Sequence, residues 1–171
     1  MTLVRDMRND DADTTVVRDL FWEYLQWANG MVNDEFKVNF DIAAMLEQDM
    51  QTLDKFAPPL GRIVLAVEGK SVLGLGCLKR LRPGIGEIKR MFVRPAARGT
   101  GLGQALLNAL LAHAEVAGYS EVWLDSAGFM KAAHALYRAA GFRDIDPYPE
   151  SEIPSDFQKH WVFMAKDLRS V

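Results

Sequence analysis

Apolar residues recur every three or four positions in the first third of the chain, and this spacing is typical of amphipathic helices. The clearest case follows the acidic and threonine residues at positions 11–15, which favour a helix N-terminus. Its inward face consists of six apolar positions, Val17, Leu20, Phe21, Tyr24, Leu25 and Ala28. A second helix is predicted over residues 41–53, and a weaker alternation over residues 2–8 predicts an edge strand. The front of the chain is therefore predicted to be one strand followed by two helices.

After residue 61 the pattern changes to continuous apolar runs that are rich in β-branched residues. Residues 62–67 and 72–78 flank the turn sequence Glu68-Gly69-Lys70-Ser71, so they are predicted to pair as an antiparallel hairpin. A second turn at residues 80–86, which contains proline and two glycines, leads into a third strand at residues 87–93. Together these segments predict a three-stranded meander.

The second half of the chain alternates helical and strand patterns. Helical spacing over residues 102–117 precedes a buried strand at residues 121–125, and a further helix is predicted at residues 130–140. Two later strands are predicted at residues 143–146 and 161–166. Because a helix connects the strand at residues 87–93 to the strand at residues 121–125, those two should be parallel. The predicted fold class is α/β, with a mixed sheet that combines an antiparallel meander and a central parallel strand pair, flanked by helices.

Length and composition narrow the class of protein. The 171 residues fit one domain, residues 1–171. A net charge of −3 argues against a nucleic-acid partner, which basic surfaces bind by counterion release. Cys77 is the only cysteine, so an internal disulfide is excluded and a reducing compartment is favoured. The sequence shows no signal-peptide core and no apolar run of membrane-spanning length, which predicts a cytoplasmic protein without a membrane partner.

A glycine-rich segment, Arg98-Gly99-Thr100-Gly101-Leu102-Gly103, lies between a predicted strand and a predicted helix. The first turn of a helix has unpaired N–H groups and the positive end of the macrodipole, so it attracts anions. Glycines allow an anion to approach the backbone, and the planar guanidinium of Arg98 suits phosphate oxygens. The segment therefore predicts a pyrophosphate site; the alternative is a tight turn with close helix packing.

Two familiar phosphate motifs do not fit the segment. A P-loop requires Lys and then Ser or Thr after its last glycine, whereas Gln104 and Ala105 follow Gly103. A dinucleotide-binding fingerprint matches at Gly99 and Gly101, and Asp125 lies at the distance of its acidic residue, but Gln104 occupies the place of its third glycine. A dinucleotide-binding protein therefore stays a weaker alternative.

The segment resembles the acyl-CoA-binding motif Gln/Arg-x-x-Gly-x-Gly/Ala of the GNAT superfamily of N-acyltransferases, whose fixed positions are occupied here by Arg98, Gly101 and Gly103. Residues 87–95 and 135–142 are similar to the same family in the same order, and the front half resembles a bacterial-type subgroup of unassigned substrate. The resemblance implies a GNAT-like fold, acetyl-CoA as cosubstrate and no metal. It also implies that the cosubstrate contacts two segments, Met91, Phe92, Val93 and Arg98, Gly99, Thr100, Gly101, Leu102, Gly103, Gln104.

The implied reaction is direct attack of an amine on acetyl-CoA, which requires a base for the amine and an acid for the leaving thiolate. Tyr137 resembles the family tyrosine near the CoA sulfur, and we assign it as the general acid. Glu87 is the first candidate for the base because the resemblance places it at the start of the central strand, where the family often has a carboxylate that faces the acceptor; a solvated or ion-paired glutamate is the alternative. Cys77 lies in the middle of a strand without a neighbouring histidine, so a buried, inert thiol is preferred to a nucleophile.

The acceptor is predicted to be a small-molecule amine or an amino-acid-like compound. Asp125 and Ser126, at the end of a strand, are predicted to hold it or a water molecule; the alternative is a turn. Trp22 and Trp27 lie off the inward face of the first helix and are predicted to wall its pocket, unless they are simply exposed aromatics. The long, proline-rich segment 147–156 contributes two further candidates, Tyr148 and Glu150, or is a solvated loop.

One departure from the family pattern concerns the residues before the tyrosine helix. Many members carry an asparagine there for the pantetheine arm, but residues 127–133 contain none. Because neither the acceptor nor the base is identified by the sequence, a catalytically inactive, CoA-binding sensor of the same fold stays an alternative to an enzyme. The identity of the amine, the use of other acyl groups and the formation of a homodimer are open at this stage.

Overall fold

The sheet around which the chain folds has seven strands, and the computed structural model describes residues 1–169. The strands are β1 (Thr2–Asp6), β2 (Arg62–Glu68), β3 (Ser71–Arg82), β4 (Ile85–Val93), β5 (Glu121–Ala127), β6 (Arg143–Ile145) and β7 (Trp161–Asp167). The helices are α1 (Asp11–Phe36), α2 (Ile42–Gln51), α3 (Leu102–Val116) and α4 (Lys131–Ala139). Short 3-10 turns occupy Leu53–Phe56, Pro95–Ala97 and Ser155–His160.

The strand order is β1-β2-β3-β4-β5-β7-β6. β4 and β5 are parallel, as expected for strands joined through α3, and the neighbouring pairs on either side are antiparallel. After α4 the chain forms the edge strand β6 and then returns as β7, between β5 and β6. This mixed sheet confirms the predicted fold class.

The parallel pair separates soon after it forms. Its last pairing joins Glu87 to Trp123, although β4 continues to pair with β3 as far as Val93 and β5 with β7 as far as Ala127. Within residues 1–169, the backbone of β4 beyond Glu87 therefore has no strand partner on its β5 side. A gap opens in the middle of the sheet at this point.

Two hydrophobic cores cover the two faces of the sheet. On one face α3 and α4 pack Leu106, Leu110 and Tyr137 against residues that include Val122 and Leu124 of β5. On the other face α1 and α2 pack residues such as Phe21 and Leu46 against β2, β3 and Phe92 of β4. Cys77 is fully buried in this second core, in agreement with the predicted inert thiol. Each face of the gap is consequently bordered by a different pair of helices.

Most predicted elements are present, but several boundaries differ. α1 begins after the N-cap Asp10, whose side chain accepts a hydrogen bond from the N–H of Asp13, and Asp41 caps α2 in the same way. β3 and β4 extend into the turn predicted at residues 80–86, so only two residues connect them. β5 continues to Ala127, so Asp125 and Ser126 lie within the strand and not in a turn after it. Within residues 1–169 no helix is long and apolar enough to cross a membrane.

Candidate active site

The connection from β4 to α3 leaves open space beside its backbone. Gly99 and Gly101 adopt positive φ angles of 77° and 86°, and a Cβ at either position would meet no atom within 4 Å. Gly101 is the N-cap of α3, so the first N–H groups of the helix point out beside it without intrahelical partners. Gly103 differs, because its Cβ would lie 3.4 Å from Leu136. The first two glycines thus leave open space beside the backbone, whereas Gly103 lies against Leu136 of α4.

The remaining residues of this segment shape its edges. The Nε of Arg98 donates to the carbonyl of Val93 at 2.9 Å, and its guanidinium lies 4.8 Å from the centroid of the Trp27 ring. The hydroxyl of Thr100 donates to the carbonyl of Ala97 at 2.6 Å. Leu102 is buried in the core, whereas Gln104 is exposed on the first turn of α3. A positive charge is therefore held at the rim of the open backbone.

A cavity of about 390 Å³ occupies the gap between the separated strands. It is bordered by β4 and β5, by α1 and α2 on one face of the sheet, by α4 on the other, and by the connection before β7. Met91 lines it, whereas the ring of Phe92 packs under α1, about 6.0 Å from that of Trp27. The cavity therefore passes through the sheet from one face to the other.

The alternation of side chains along β5 divides this cavity into two parts. Val122 and Leu124 belong to the core under α3, so Ser126 points to the same face and Asp125 to the opposite one. We name the part beside α4 the α4 half; it is lined by Met91, Ser126, Met130, Ala133 and Tyr137. We name the part beside α1 and α2 the α1 half; it is lined by Tyr24, Trp27, Phe40, Met45, Asp125 and Trp161.

Tyr137 stands in the α4 half with its ring 5.7 Å from that of Phe142. Its side chain is buried, and burial raises the pKa of its hydroxyl above the usual value, with smaller contributions from Tyr24 and Asp125. Among residues 1–169 no side-chain hydrogen bond engages this hydroxyl. Tyr137 is therefore a neutral phenol whose proton is available to a group in the cavity.

Asp125 stands in the α1 half, where burial and the nearby carboxylates of Glu152 and Glu87 raise its pKa to about 6. The hydroxyl of Ser151 donates to its Oδ2 at 3.1 Å. No ion pair in the described part of the chain involves Asp125. A carboxylate with this pKa is ionised at neutral pH and can accept a proton.

The structure places Glu87 and Tyr148 together and away from the cavity lining. The hydroxyl of Tyr148 donates to Oε2 of Glu87 at 2.7 Å, and Nζ of Lys79 lies 3.7 Å from Oε1. Both side chains are buried, and the ring of Tyr148 packs against Trp123 and Phe163. The predicted base and the predicted acceptor-binding residue are therefore hydrogen-bonded to each other, and neither lines the cavity.

Ser126 and His134 form a buried pair that joins β5 to α4. The Nε2 of His134 lies 3.1 Å from the Oγ of Ser126. Burial lowers the pKa of His134, which keeps its imidazole neutral. Ser126 was predicted to hold the acceptor together with Asp125, but the two side chains lie on opposite faces of the sheet.

A segment that we name the strap, residues 146–154, crosses the sheet beside the α1 half. Its Glu150 receives two hydrogen bonds of 2.6 Å from Arg82, and its Glu152 accepts from Arg90 at 2.6 Å and lies 3.0 Å from Nζ of Lys89. Arg90 is nine-tenths buried and also binds Asp49 of α2 at 2.9 Å. The strap is therefore fastened to β4 and, through Arg90, to α2.

Three of these residues, Asp49, Arg90 and Glu152, were not singled out from the sequence. Arg90 has a φ of 55°, and the pairs Leu75 with Phe92 and Cys77 with Lys89 show that β4 contains an extra residue there. This bulge brings consecutive basic residues to the same carboxylate, and nothing in the local sequence marks it. Trp22 lines a separate shallow pocket with Arg18 and Glu47, so only Trp27 of the two tryptophans borders the cavity.

Comparison with known proteins assigns this arrangement to a family. The model of the acetyltransferase (GNAT) family matches residues 15–142. An uncharacterized N-acetyltransferase of Schizosaccharomyces pombe is 32% identical over 139 residues, which cover 80% of each protein.

Solved structures show the same fold. An acetyltransferase of the GNAT family from Staphylococcus aureus Mu50 superposes with a TM-score of 0.74 at 18% identity, over 99% of this chain and 100% of the other. An acetyltransferase from Salmonella typhimurium, solved with its cofactor acetyl-CoA, superposes with a TM-score of 0.69 at 20% identity, over 99% of this chain and 95% of the other.

Proposed function

The chain belongs to the GNAT family and is an N-acetyltransferase, and we propose that it transfers the acetyl group of acetyl-CoA to a primary amine by direct attack within a ternary complex. The observation that carries this proposal is the cavity through the sheet. It presents a neutral phenol, Tyr137, on one face and an ionisable carboxylate, Asp125, on the other. A donor and an acceptor could therefore meet between the two strands without leaving the cavity.

The residues present suit the cosubstrate. The open backbone at Gly99 and Gly101, the first turn of α3 and the guanidinium of Arg98 would hold the pyrophosphate. The unpaired β5 side of residues 88–93 would bind the amide groups of the pantetheine arm, which we place in the α4 half. Acetyl-CoA supplies the acetyl group as an activated thioester. The N–H groups of this strand edge would also stabilise negative charge on the carbonyl oxygen, worth about 3 kcal/mol for one donor in measured cases.

The transfer forms a C–N bond as a C–S bond breaks, so the chain must take a proton from nitrogen and supply one to sulfur. An alkylamine has a pKa of about 10, so it arrives as an ammonium ion and must lose a proton before it can attack. We propose Asp125, directly or through a water molecule, as the group that takes the proton. We retain Tyr137 as the acid for the thiolate.

Glu87 takes a different role in this proposal. Its carboxylate accepts from Tyr148 and lies near Lys79, so it has no direct path to an acceptor in the cavity. Its charge contributes to the raised pKa of Asp125, after burial and Glu152. We therefore propose Glu87 as a positioning residue, which anchors the strap through Tyr148, and move the role of base to Asp125.

The test combines binding and turnover. Calorimetric titration with acetyl-CoA, with NAD as the control nucleotide, should give saturable binding to acetyl-CoA alone. Thiol release in the presence of a panel of amines should then give intersecting initial-rate patterns, as expected for a ternary complex. Binding of NAD instead, or parallel patterns, would contradict the proposal. Acetyl-CoA binding without release for any amine would favour the CoA-binding sensor.

A further inference from the structure

The α1 half of the cavity contains one carboxylate without a cationic partner. Lys89 is paired with Glu152, and Arg90 is paired with both Asp49 and Glu152. Across residues 1–169, the two cations that border this half therefore share the carboxylate of Glu152, whereas Asp125 forms no ion pair and its partner is the hydroxyl of Ser151. The half thus offers one carboxylate outside these ion pairs.

Aromatic and apolar side chains form the rest of the α1 half. Tyr24 and Trp27 come from α1, Phe40 precedes α2, and Trp161 begins β7, while Met45 adds a flexible apolar surface from α2. The rings of Tyr24 and Trp27 lie 6.4 Å apart and tilted, and both contact Phe92 beneath them. Such a wall binds the face of a flat apolar group, and its rings also attract a cation that lies over them.

We infer that the acceptor is a primary monoamine with an aromatic body and no carboxylate, such as an arylalkylamine. Its ammonium group pairs with Asp125 and its ring packs among Tyr24, Phe40 and Trp161. This inference rests on the proposed function, because it names the class of amine that enters the same cavity.

The charges of this half disfavour two other classes of amine. An α-amino acid would bring a second carboxylate beside Lys89 and Arg90, which already share Glu152, so it would compete with the ion pairs that hold the strap. A polyamine would bring further ammonium groups beside apolar walls, with one carboxylate available to pair with them.

Matched amines separate these classes. 2-Phenylethylamine and phenylalanine differ by one carboxylate, and 2-phenylethylamine and ethylamine differ by the aromatic ring. Spermidine, a polyamine, carries further ammonium groups and no ring. We expect kcat/KM for 2-phenylethylamine to exceed that for phenylalanine by about 100-fold and that for ethylamine by about 10-fold or more. Higher kcat/KM for phenylalanine or spermidine would overturn the inference and leave the acetyl transfer itself in place.

A pair of variants tests where the ring lies. Phe40→Ala should lower kcat/KM for 2-phenylethylamine by about 10-fold and leave the KM for acetyl-CoA unchanged, because Phe40 lines the α1 half alone. The control Trp22→Ala removes an aromatic residue of α1 outside the cavity and should change neither value. Equal losses in the two variants would contradict the assignment of the ring to this half.

A binding measurement keeps this inference distinct from the proposed function. Calorimetry with the acetyl-CoA-loaded protein, or with CoA if turnover intervenes, should detect 2-phenylethylamine and should show weaker binding of phenylalanine. If no amine is acetylated but this order of binding holds, the transfer proposal fails and the ligand class stands. If 2-phenylethylamine binds no better than phenylalanine, the inference is wrong whatever the turnover.

Discussion

The two halves of the cavity are built from different materials. The α4 half and the adjoining proposed anion site come from one continuous stretch, β4 through α4, and the proposed anion site consists mainly of backbone groups beside glycines. The α1 half uses side chains from α1, α2, β5, the strap and the start of β7, and buried ion pairs hold these segments together. The geometry of a site formed by backbone groups is set by the fold, whereas a site formed by side chains can change with each amino-acid substitution. The difference teaches that cosubstrate binding and acceptor choice can vary independently in this chain.

Gly101→Glu should have the largest effect of these variants, and it should weaken the binding of acetyl-CoA alone. It places a carboxylate at the open N-terminus of α3, where a phosphate would meet a like charge, in a backbone with a φ of 86°. We expect calorimetry to show acetyl-CoA affinity reduced by about 1000-fold, or about 4 kcal/mol.

The control for backbone strain is Gly118→Glu. Gly118 has a φ of 84° and open space around it, but it lies at the other end of α3. It should lower the melting temperature to a similar extent and bind acetyl-CoA normally. Comparable loss of binding in both variants would mean that strain, and not the anion site, explains the first result.

Asp125→Asn should lower kcat/KM by roughly 300-fold, because it removes the proposed base. It should also make the folded protein more stable, because it removes a buried carboxylate. The pKa of Asp125 is raised from 3.8 to about 6, so the folded protein holds this proton more tightly than the unfolded chain does. The resulting contribution to stability is complete below pH 3.8 and is lost as the pH rises through about 6. Asparagine avoids that loss. The melting temperature of the variant should therefore exceed that of the wild type more at about pH 7.5 than at about pH 5.

The pH profile gives the second readout for this residue. Wild-type kcat/KM should fall as the pH drops through about 6, where the base of the free enzyme becomes protonated. The residual activity of Asp125→Asn should lack that limb. A limb that persists in the variant would assign the titration to another group and would contradict the role of Asp125 as the base.

Tyr137→Phe should lower kcat by about 100-fold, the lower end of the range for general acids, and leave acetyl-CoA affinity nearly unchanged. The ring stays packed against Phe142, so the change removes only the hydroxyl. Tyr119→Phe is the matched control, since that hydroxyl lies in the same core and bonds to the carbonyl of Leu60. Tyr119→Phe should lower the stability of the protein and leave kcat unchanged. Unchanged turnover in Tyr137→Phe would remove the tyrosine from the mechanism.

Glu152→Gln should have the smallest effect of these variants, and it should change the KM for the amine and not that for acetyl-CoA. It weakens the contacts of the strap with Lys89 and Arg90, so the wall of the α1 half is held less firmly. We expect the KM for the amine to rise by about 10-fold, with that for acetyl-CoA unchanged. Glu150→Gln, which alters the more exposed pair with Arg82, should change the amine KM by less than about 2-fold. Equal effects would indicate that the strap does not shape this half.

The contrast between the halves also explains what could be predicted from the sequence. The place of the glycine segment between β4 and α3 could be predicted because the glycines, the strand and the helix are contiguous in the sequence. The parallel pair followed from the helix between its strands. One strand boundary was wrong: the strand predicted to end at Asp125 continues through Ser126 to Ala127, and the alternation within it sends Asp125 and Ser126 to opposite faces.

The α1 half could not be predicted because its contacts join distant positions. Arg90 binds residues 41 and 62 positions away, and Tyr148 bonds to Glu87 across 61 positions. Lone charged residues in a sequence read as solvated groups, and only the fold shows that these are buried together. The strap was noticed for its length and prolines, but its residues Tyr148 and Glu150 bind the protein itself, and Glu152 makes the contacts beside the cavity.

The burial of Cys77 turns the single thiol of the chain into a conformational reporter. Its side chain is inaccessible, and burial raises the pKa of its thiol, so it reacts slowly in the native protein. A thiol-reactive dye added during turnover would therefore record only the CoA that is set free. In denaturant the same dye would label Cys77 stoichiometrically as the second core opens. One reagent can thus measure both catalysis and unfolding, and each variant above can be checked for its fold in the assay that measures its activity.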